Sequence, residues 1–213
     1  MSLFTDAMSY LSTAHPSQHG HFTVRVSQLG ATAQSALIAE FNRQASGPMV
    51  DLTLVSSNRS GTLTLDIVLD SEVVGLIIIT MLSPDIEVFP YEITSPTPAI
   101  ANLDIEIEAM FVMPAFFRSG LAQYLPYELS RFIKHLISRN VQNGSLNLVS
   151  PAPGVGVLIG VYAMPNTHTG IAIYQRIVKG VAGDRAWLNS LLEFNVHASV
   201  TSYLMLAPRV ING

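Results

Sequence analysis

Phe22, Val24 and Val26 alternate with Thr23, Arg25 and Ser27, the period-two pattern of a strand over 22–28. From residue 30 the period changes: Ala33, Leu37, Ile38 and Phe41 recur at helical spacing and predict a helix over 30–44. Residues 51–55 fit either a short strand or part of a loop. Two β-rich arms, 62–69 and 73–82, flank the turn-like Asp70-Ser71-Glu72 and predict a hairpin. The second arm, VVGLIIITML, is apolar on both faces, as a central covered strand would be. Four prolines, at 84, 90, 96 and 98, make 83–102 a loop. A strand is expected over 103–113, a turn over 114–120, and a helix over 121–140 carrying Leu121, Leu125, Leu129, Phe132, Ile133 and Leu136, with Pro126 near its start. Asn143-Gly144 ends that segment. A strand at 145–149 follows, then a helix over 167–179 closed by Gly180, then strands at 187–196 and 201–206. This mixed order predicts an α/β fold with a partly antiparallel sheet flanked by helices.

The chain has 213 residues, enough for one large domain without a disulfide or metal staple. Residues 1–21, rich in Ser, Thr and His, read as an arm, and 22–213 as a single domain. There is no cysteine, which excludes thiolate zinc sites and a cysteine nucleophile. Charged residues are only 12% and hydrophobic ones 49%, so a surface poor in ionic groups is expected to lie partly against another chain, as in a homo-oligomer. A formal net charge of −4 argues against a nucleic-acid partner. The longest apolar run, 155–164, is half of the ~20 residues that span a bilayer, and the start of the chain lacks a signal-peptide pattern. A soluble, cytoplasmic protein without a membrane partner is the resulting expectation.

Chemistry first appears between the strand ending near Met113 and the helix opening at Leu121. Val112-Met113-Pro114-Ala115-Phe116-Phe117-Arg118-Ser119-Gly120-Leu121-Ala122 joins a strand, a tight turn and a helix N-terminus. The first amides of a helix lack intrahelical acceptors and, with the helix dipole, favour an anion. Gly120 permits close approach to the backbone, and Arg118 could add a charge-assisted contact.

This segment resembles the acyl-CoA-binding signature of the GCN5-related N-acetyltransferase (GNAT) family. That signature is a strand ending in Val-x-Pro, then Gln or Arg, two residues, Gly, one residue, and Gly or Ala. Gly120, Ala122 and Val112-x-Pro114 match it; Phe117 occupies the Gln/Arg position, with the arginine one place later. Downstream, Gly170-Ile171-Ala172-Ile173-Tyr174 resembles the family's helix with a small residue four places before a Tyr, and Gln175–Gly180 resembles its exit. The family's Asn would fall on Thr167, with Asn166 one residue off. The resemblance covers roughly 22–206 and implies a GNAT-like sheet and an acetyl-CoA co-substrate. It further implies contacts from Phe111, Val112, Met113, Phe117, Arg118, Ser119, Gly120, Leu121 and Ala122, and Tyr174 as the acid for the leaving thiolate. A backbone N–H near Phe111 or Val112 would polarise the thioester carbonyl.

Asp104, Glu106 and Glu108 alternate with Ile105, Ile107 and Ala109, so the three acids share one strand face. Like charges crowded together repel, a setting in which a carboxylate can serve as general base, although a solvated face has the same pattern. The resemblance favours Glu108, with Glu106 in reserve, as the group that deprotonates an acceptor amine, small molecule or protein.

Other candidates carry less. His15, His19 and His21 have no carboxylate at ligand spacing and read as solvated rather than metal-binding; His168 reads as a helix-start surface residue. Gly154-Val155-Gly156-Val157-Leu158-Ile159-Gly160 suggests a dinucleotide oxidoreductase, but the spacing is not GxGxxG and Pro165 cuts short any following helix. The 155–164 run is taken as an apolar insertion lining an acceptor pocket or a subunit contact. The sequence thus predicts an acetyl-CoA-dependent N-acetyltransferase. The alternative is a non-catalytic subunit of the same fold within a larger assembly.

Overall fold

The computed structural model describes residues 22–45, 49–52, 61–81, 85–88, 99–142, 155–194 and 196–204. The expected arm at 1–21 and strand at 145–149 lie outside these residues, as do the prolines at 84, 90, 96 and 98. Among the described residues, seven strands form one mixed sheet: β1 (Phe22–Val26), β2 (Thr62–Leu69), β3 (Glu72–Met81), β4 (Asp85–Val88), β5 (Ala99–Val112), β6 (Val155–Ala163) and β7 (Val196–Leu204). Their spatial order is β1-β2-β3-β5-β6-β7, with β4 also paired to β5. Pairings from β1 to β5 are antiparallel, whereas β5–β6 and β6–β7 are parallel. The helices are α1 (Ala31–Gln44), α2 (Leu121–Gln142), α3 (His168–Ala182) and α4 (Arg185–Leu191). This is the α/β architecture with a partly antiparallel sheet that the element pattern predicts.

Local chemistry explains most boundaries. Asp70 and Ser71 take φ of 49° and 72°, the left-handed pair that a two-residue hairpin loop between β2 and β3 demands. Thr167 caps α3 by accepting the Gly170 N–H at 2.9 Å. Gly180 does not close α3, which runs on to Ala182. A side chain there would overlap the Ser130 hydroxyl on α2, so this glycine serves the α2–α3 contact instead. Ser130 also donates to the carbonyls of Pro126, at 2.5 Å, and Ile177, at 3.2 Å.

Three expectations are corrected. Residues 83–102 are not all loop, because β4 lies at Asp85–Val88 and β5 begins at Ala99. The run 155–164 is not an insertion: it supplies β6, flanked by β5 and β7. Ile159, Val161 and Ala163 of this strand are buried in the core beneath α2 and α3. Trp187 belongs to helix α4, and one strand, β7, replaces the two expected at the end. Residues 51–52 are not in a strand.

Two cores sandwich the sheet. Helices α2, α3 and α4 cover one face with Leu125, Leu129, Ile133, Ile177 and Leu191 against Leu65, Ile77, Ile105 and Ile159. Helix α1 covers part of the other with Ile38 and Phe41 against Leu76, Ile78, Phe111 and Met113. Each fully buried Leu or Ile contributes ~1.5–3 kcal/mol of transfer free energy.

A polar network pins α4 to α2. Lys134 Nζ donates to Asp184 Oδ2 at 2.5 Å, Asp184 Oδ1 accepts the Trp187 N–H at 3.0 Å, and Trp187 Nε1 donates to Ser138 at 2.9 Å. The Lys134 ammonium, then the Trp187 amide, hold the Asp184 carboxyl below its usual range. A depressed folded pKa contributes stability above the unfolded value of ~3.9, which is lost as pH falls through the folded pKa. Asp184→Asn is therefore expected to lower the melting temperature at neutral pH, and the gap to the parent should close as both are taken below about pH 4. An equal gap at both pH values would contradict this.

Candidate functional site

The site is laid out by unequal strand lengths. β5 and β6 pair from Ile100↔Gly156 to Ile107↔Ala163, where β6 ends. Pro165, two residues on, has no N–H to extend a ladder. β5 continues to Val112, still paired with β3. Beyond Ile107, the β5 edge that faced β6 therefore has no strand partner among the described residues. The two strands part into a split, with the Gly120 turn beyond its β5 bank.

Backbone direction on that bank follows from one hydrogen bond. Met113 N–H donates to Val74 O on β3 at 2.7 Å. Polar backbone groups alternate between strand edges, so those of Phe111 also face β3, and those of Met110 and Val112 face the split. Of the two amides expected to meet a thioester, Val112 has the required direction and Phe111 does not. The Phe111 side chain is buried against Phe41, with ring centroids 4.5 Å apart.

The turn is built by a 3-10 segment, Pro114–Phe116, with Phe116 N–H on Met113 O at 2.8 Å. Ser119 gives both its N–H and its hydroxyl to Phe116 O, at 3.0 and 2.6 Å, so it braces the turn internally. The amides of Arg118, Gly120, Leu121 and Ala122 meet no acceptor among the described residues. Gly120 has φ +81°, a conformation that glycine adopts freely, and a Cβ there would find only the Tyr124 ring, at 3.7 Å. The first turn of α2 carries no acid, and Arg118 is exposed. Unpaired amides, open space and a nearby cation fit a pyrophosphate. Phe117 points outward, 61% exposed, whereas Leu121 is buried.

The acids sit on the α1 face of the sheet. Asp104 and Glu106 lie opposite the buried Ile105 and Ile107. A bulge follows: Ile78 pairs with Ala109 and Ile79 with Ile107, leaving Glu108 as the extra residue. Thr62 and Thr80 hydroxyls lie 3.1 Å apart, and Thr80 donates to Glu108 Oε1. With its one proton on Glu108, the Thr80 oxygen accepts from Thr62, and this chain orients a half-buried carboxylate. Across the sheet, Gly160 on β6 lies against Asp104; any side chain at 160 would overlap the Asp104 carboxylate and the Tyr162 ring. Thus Gly156 and Gly160 lie within a strand rather than in a phosphate-binding turn.

Tyr174 is only 4% exposed, and its hydroxyl donates to Val161 O on β6 at 2.7 Å. Val161 is two residues from the end of β6, the strand that forms the bank opposite Val112. The structure brings Glu108, Val112 and the Gly120 turn onto one strand and its extension. Periodicity does not reveal Thr62 and Thr80, although Thr80 is the lone polar residue in an apolar run. Among the described residues no group of three His, Cys, Asp or Glu could hold a metal, and no helix is long and apolar enough to cross a membrane. His15, His19 and His21 lie outside them; His168 is exposed at the start of α3.

No family model matches the chain, and no curated protein does. Solved structures similar to it include an aminoglycoside acetyltransferase from an uncultured soil metagenomic sample, 19% identical over 65% of this chain and 78% of that one, with a TM-score of 0.28. The ribosomal-protein-alanine N-acetyltransferase of Brucella melitensis biovar Abortus 2308 is 14% identical over 73% and 90%, with a TM-score of 0.33. A predicted acetyltransferase from Clostridium acetobutylicum, solved with acetyl-CoA, is 15% identical over 73% and 87%, also at 0.33. At these values the likeness carries no weight in assigning a function, which rests on the chain's own residues.

Proposed function

We propose that the protein is an N-acetyltransferase that uses acetyl-CoA and acts on an amine. The observation that carries this reading is the split: β5 outruns β6, presents Met110 and Val112 backbone groups along an unpaired edge, and ends on a turn of unpaired amides. Acetyl-CoA supplies the activated acyl group as a thioester. In this reading, the amides of Gly120, Leu121 and Ala122, with Arg118, hold the pyrophosphate. Val112 N–H aims at the thioester carbonyl oxygen and stabilises the charge that develops there. Glu108, oriented by Thr80, takes the proton that the attacking nitrogen sheds as the C–N bond forms and the C–S bond breaks. Tyr174 gives its proton to the departing thiolate by exchanging the Val161 carbonyl for the sulfur. The products are an acetylated amine and the free thiol.

The charge of the acceptor agrees with the floor it would cross. Asp104 and Glu106 are half-buried, with no ion pair among the described residues, and favour a protonated amine. A homo-oligomer stays part of the proposal on the low charge content.

Calorimetric titration with acetyl-CoA and with NAD(P) tests the reading: heat is expected from the first only. Binding of neither, with no transfer to any amine, would make the non-catalytic subunit the better reading. Tyr174→Phe then tests the acid. Turnover should fall on the order of tenfold at unchanged acetyl-CoA affinity, below the usual ~10²–10⁴ because a thiolate leaves fairly well unaided. The melting temperature should also drop, since Val161 O loses a bond worth about 1 kcal/mol. A lower melting temperature with full turnover would leave Tyr174 a tether between α3 and β6 and nothing more.

A further inference from the structure

Met49 and Val50 are held between α1 and the corner that follows β6. Asn42 on α1 grips them three ways: its Oδ1 accepts the N–H groups of Met49 and Val50, each at 2.9 Å, and its Nδ2 donates to Val50 O at 2.7 Å. Met49 and Val50 pack on the core beneath α1, which includes Phe111 and Met113 of the β5 bank and its extension. The carbonyl of Met49 is tied elsewhere. Asn166, in the corner between β6 and α3, donates its Nδ2 to Met49 O at 2.8 Å, a bond between residues 117 positions apart. One short strap is therefore fastened at Met49 and Val50 to α1 and, through Asn166, to the corner that leaves β6, on the face where the α1 core lies.

That face is the one from which an acceptor has to arrive. The opposite face is filled by α2 and α3. Glu108 is held by Thr80 on the α1 face, and α1 itself covers only the part of the sheet around Leu76, Ile78 and Phe111. Beyond it on the same face lies a polar floor with Glu106, Asp104, Gly160 and Tyr162. Asn42 uses its carbonyl and amide to hold the strap's shape, while Asn166 fixes its position.

We infer that Asn166 is a positioning residue for the acceptor: it latches the 49–52 strap across the split and thereby sets the width of the entrance to Glu108. The inference rests on the acyl-transfer reading. With the latch closed, water and bulky amines are held away from the thioester, and acetyl-CoA reaches its own site along β5 without passing the strap.

Asn166→Asp tests this with almost no change in shape. The donor becomes a carboxylate oxygen facing the Met49 carbonyl, so the bond is replaced by repulsion; Asn166→Ala removes the bond without the charge. Amide hydrogen exchange on the protein alone is expected to quicken about fivefold at Met49 and Val50 in both variants, with α2 unchanged. Acetyl-CoA affinity should stay within about twofold of the parent. Release of thiol from acetyl-CoA to water should rise about five- to tenfold, and KM across a panel of primary amines of increasing bulk should shift at the bulky end. Because the chain has no cysteine, a thiol reagent reads the released coenzyme directly. Unchanged exchange overturns the latch. Quickened exchange with parental hydrolysis and parental amine KM values, in a protein that binds acetyl-CoA, overturns the role at the entrance. A parent protein that does not bind acetyl-CoA overturns the acyl-transfer reading and the acceptor role with it, and the latch then stands or falls on exchange alone.

Discussion

Gly120→Glu is expected to abolish acetyl-CoA binding, a loss on the order of 100-fold or more in affinity, equivalent to ~2.7 kcal/mol or more. The backbone at 120 has φ +81° and faces open space, and its own amide and those of Leu121 and Ala122 lack acceptors among the described residues. A glutamate there puts a negative charge against a second negative group, at a helix end whose dipole otherwise favours the phosphate. It also fills the approach to those amides. The variant should still fold, because a Cβ at 120 would meet nothing closer than the Tyr124 ring. Left-handed backbone costs a non-glycine residue ~1–2 kcal/mol, so a control is needed. Gly120→Asn supplies it: asparagine tolerates this conformation and carries no charge. Calorimetry with acetyl-CoA should show Asn binding weakened modestly and Glu binding lost, with similar melting temperatures. Parental affinity in a folded Glu variant would remove the pyrophosphate from this turn.

Glu108→Gln should lower acetyl transfer by ~10²–10⁴-fold, the usual scale for losing a general base, with acetyl-CoA affinity kept. Glutamine preserves volume and can still accept from Thr80, so the β5 bulge and the threonine chain should survive. The loss should be greatest at low pH, where the amine arrives protonated, and should narrow above the amine's own pKa. Thr80→Val, which frees the carboxylate from its orienting donor, should show a smaller effect of the same sign. An unchanged rate in Glu108→Gln across a broad amine panel would move the base elsewhere, first to Glu106 on the same face.

Much of this framework is legible in one-dimensional pattern. The β2–β3 hairpin, α1, α2 and α3 each repeat apolar residues at their own period, and each lies within a few residues of its predicted place. Strand β6 escapes a reading of periodicity because its apolar run does not alternate with polar residues, and its glycines resemble a loop. The reason for Gly160 is the Asp104 carboxylate on the neighbouring strand, which local sequence does not contain. Helix α4, only Arg185–Leu191, is too short for its period to stand out, and Trp187 favours a strand. A helix-start signal is nonetheless present, since Asp184 caps the Trp187 amide three residues on. At the site, the Gly120 turn is readable as strand, turn and helix start. The Thr80–Glu108 contact needs both strand register and a bulge, and the Asn166–Met49 bond joins segments with no shared local pattern.

The extra residue in β5 has a consequence for how the chain can vary. Before it, Ile105 and Ile107 face α2 and α3; after it, Ala109, Phe111 and Met113 face α1. The strand is two half-waves in opposite phase, and Glu108 is the node between them. Deleting or adding one residue there would deliver Phe111 and Met113 to the wrong helix layer, an error that no compensating substitution at a single position could repair. Length in this stretch is therefore held as tightly as identity, and the carboxylate occupies the one point where the two layers exchange the strand.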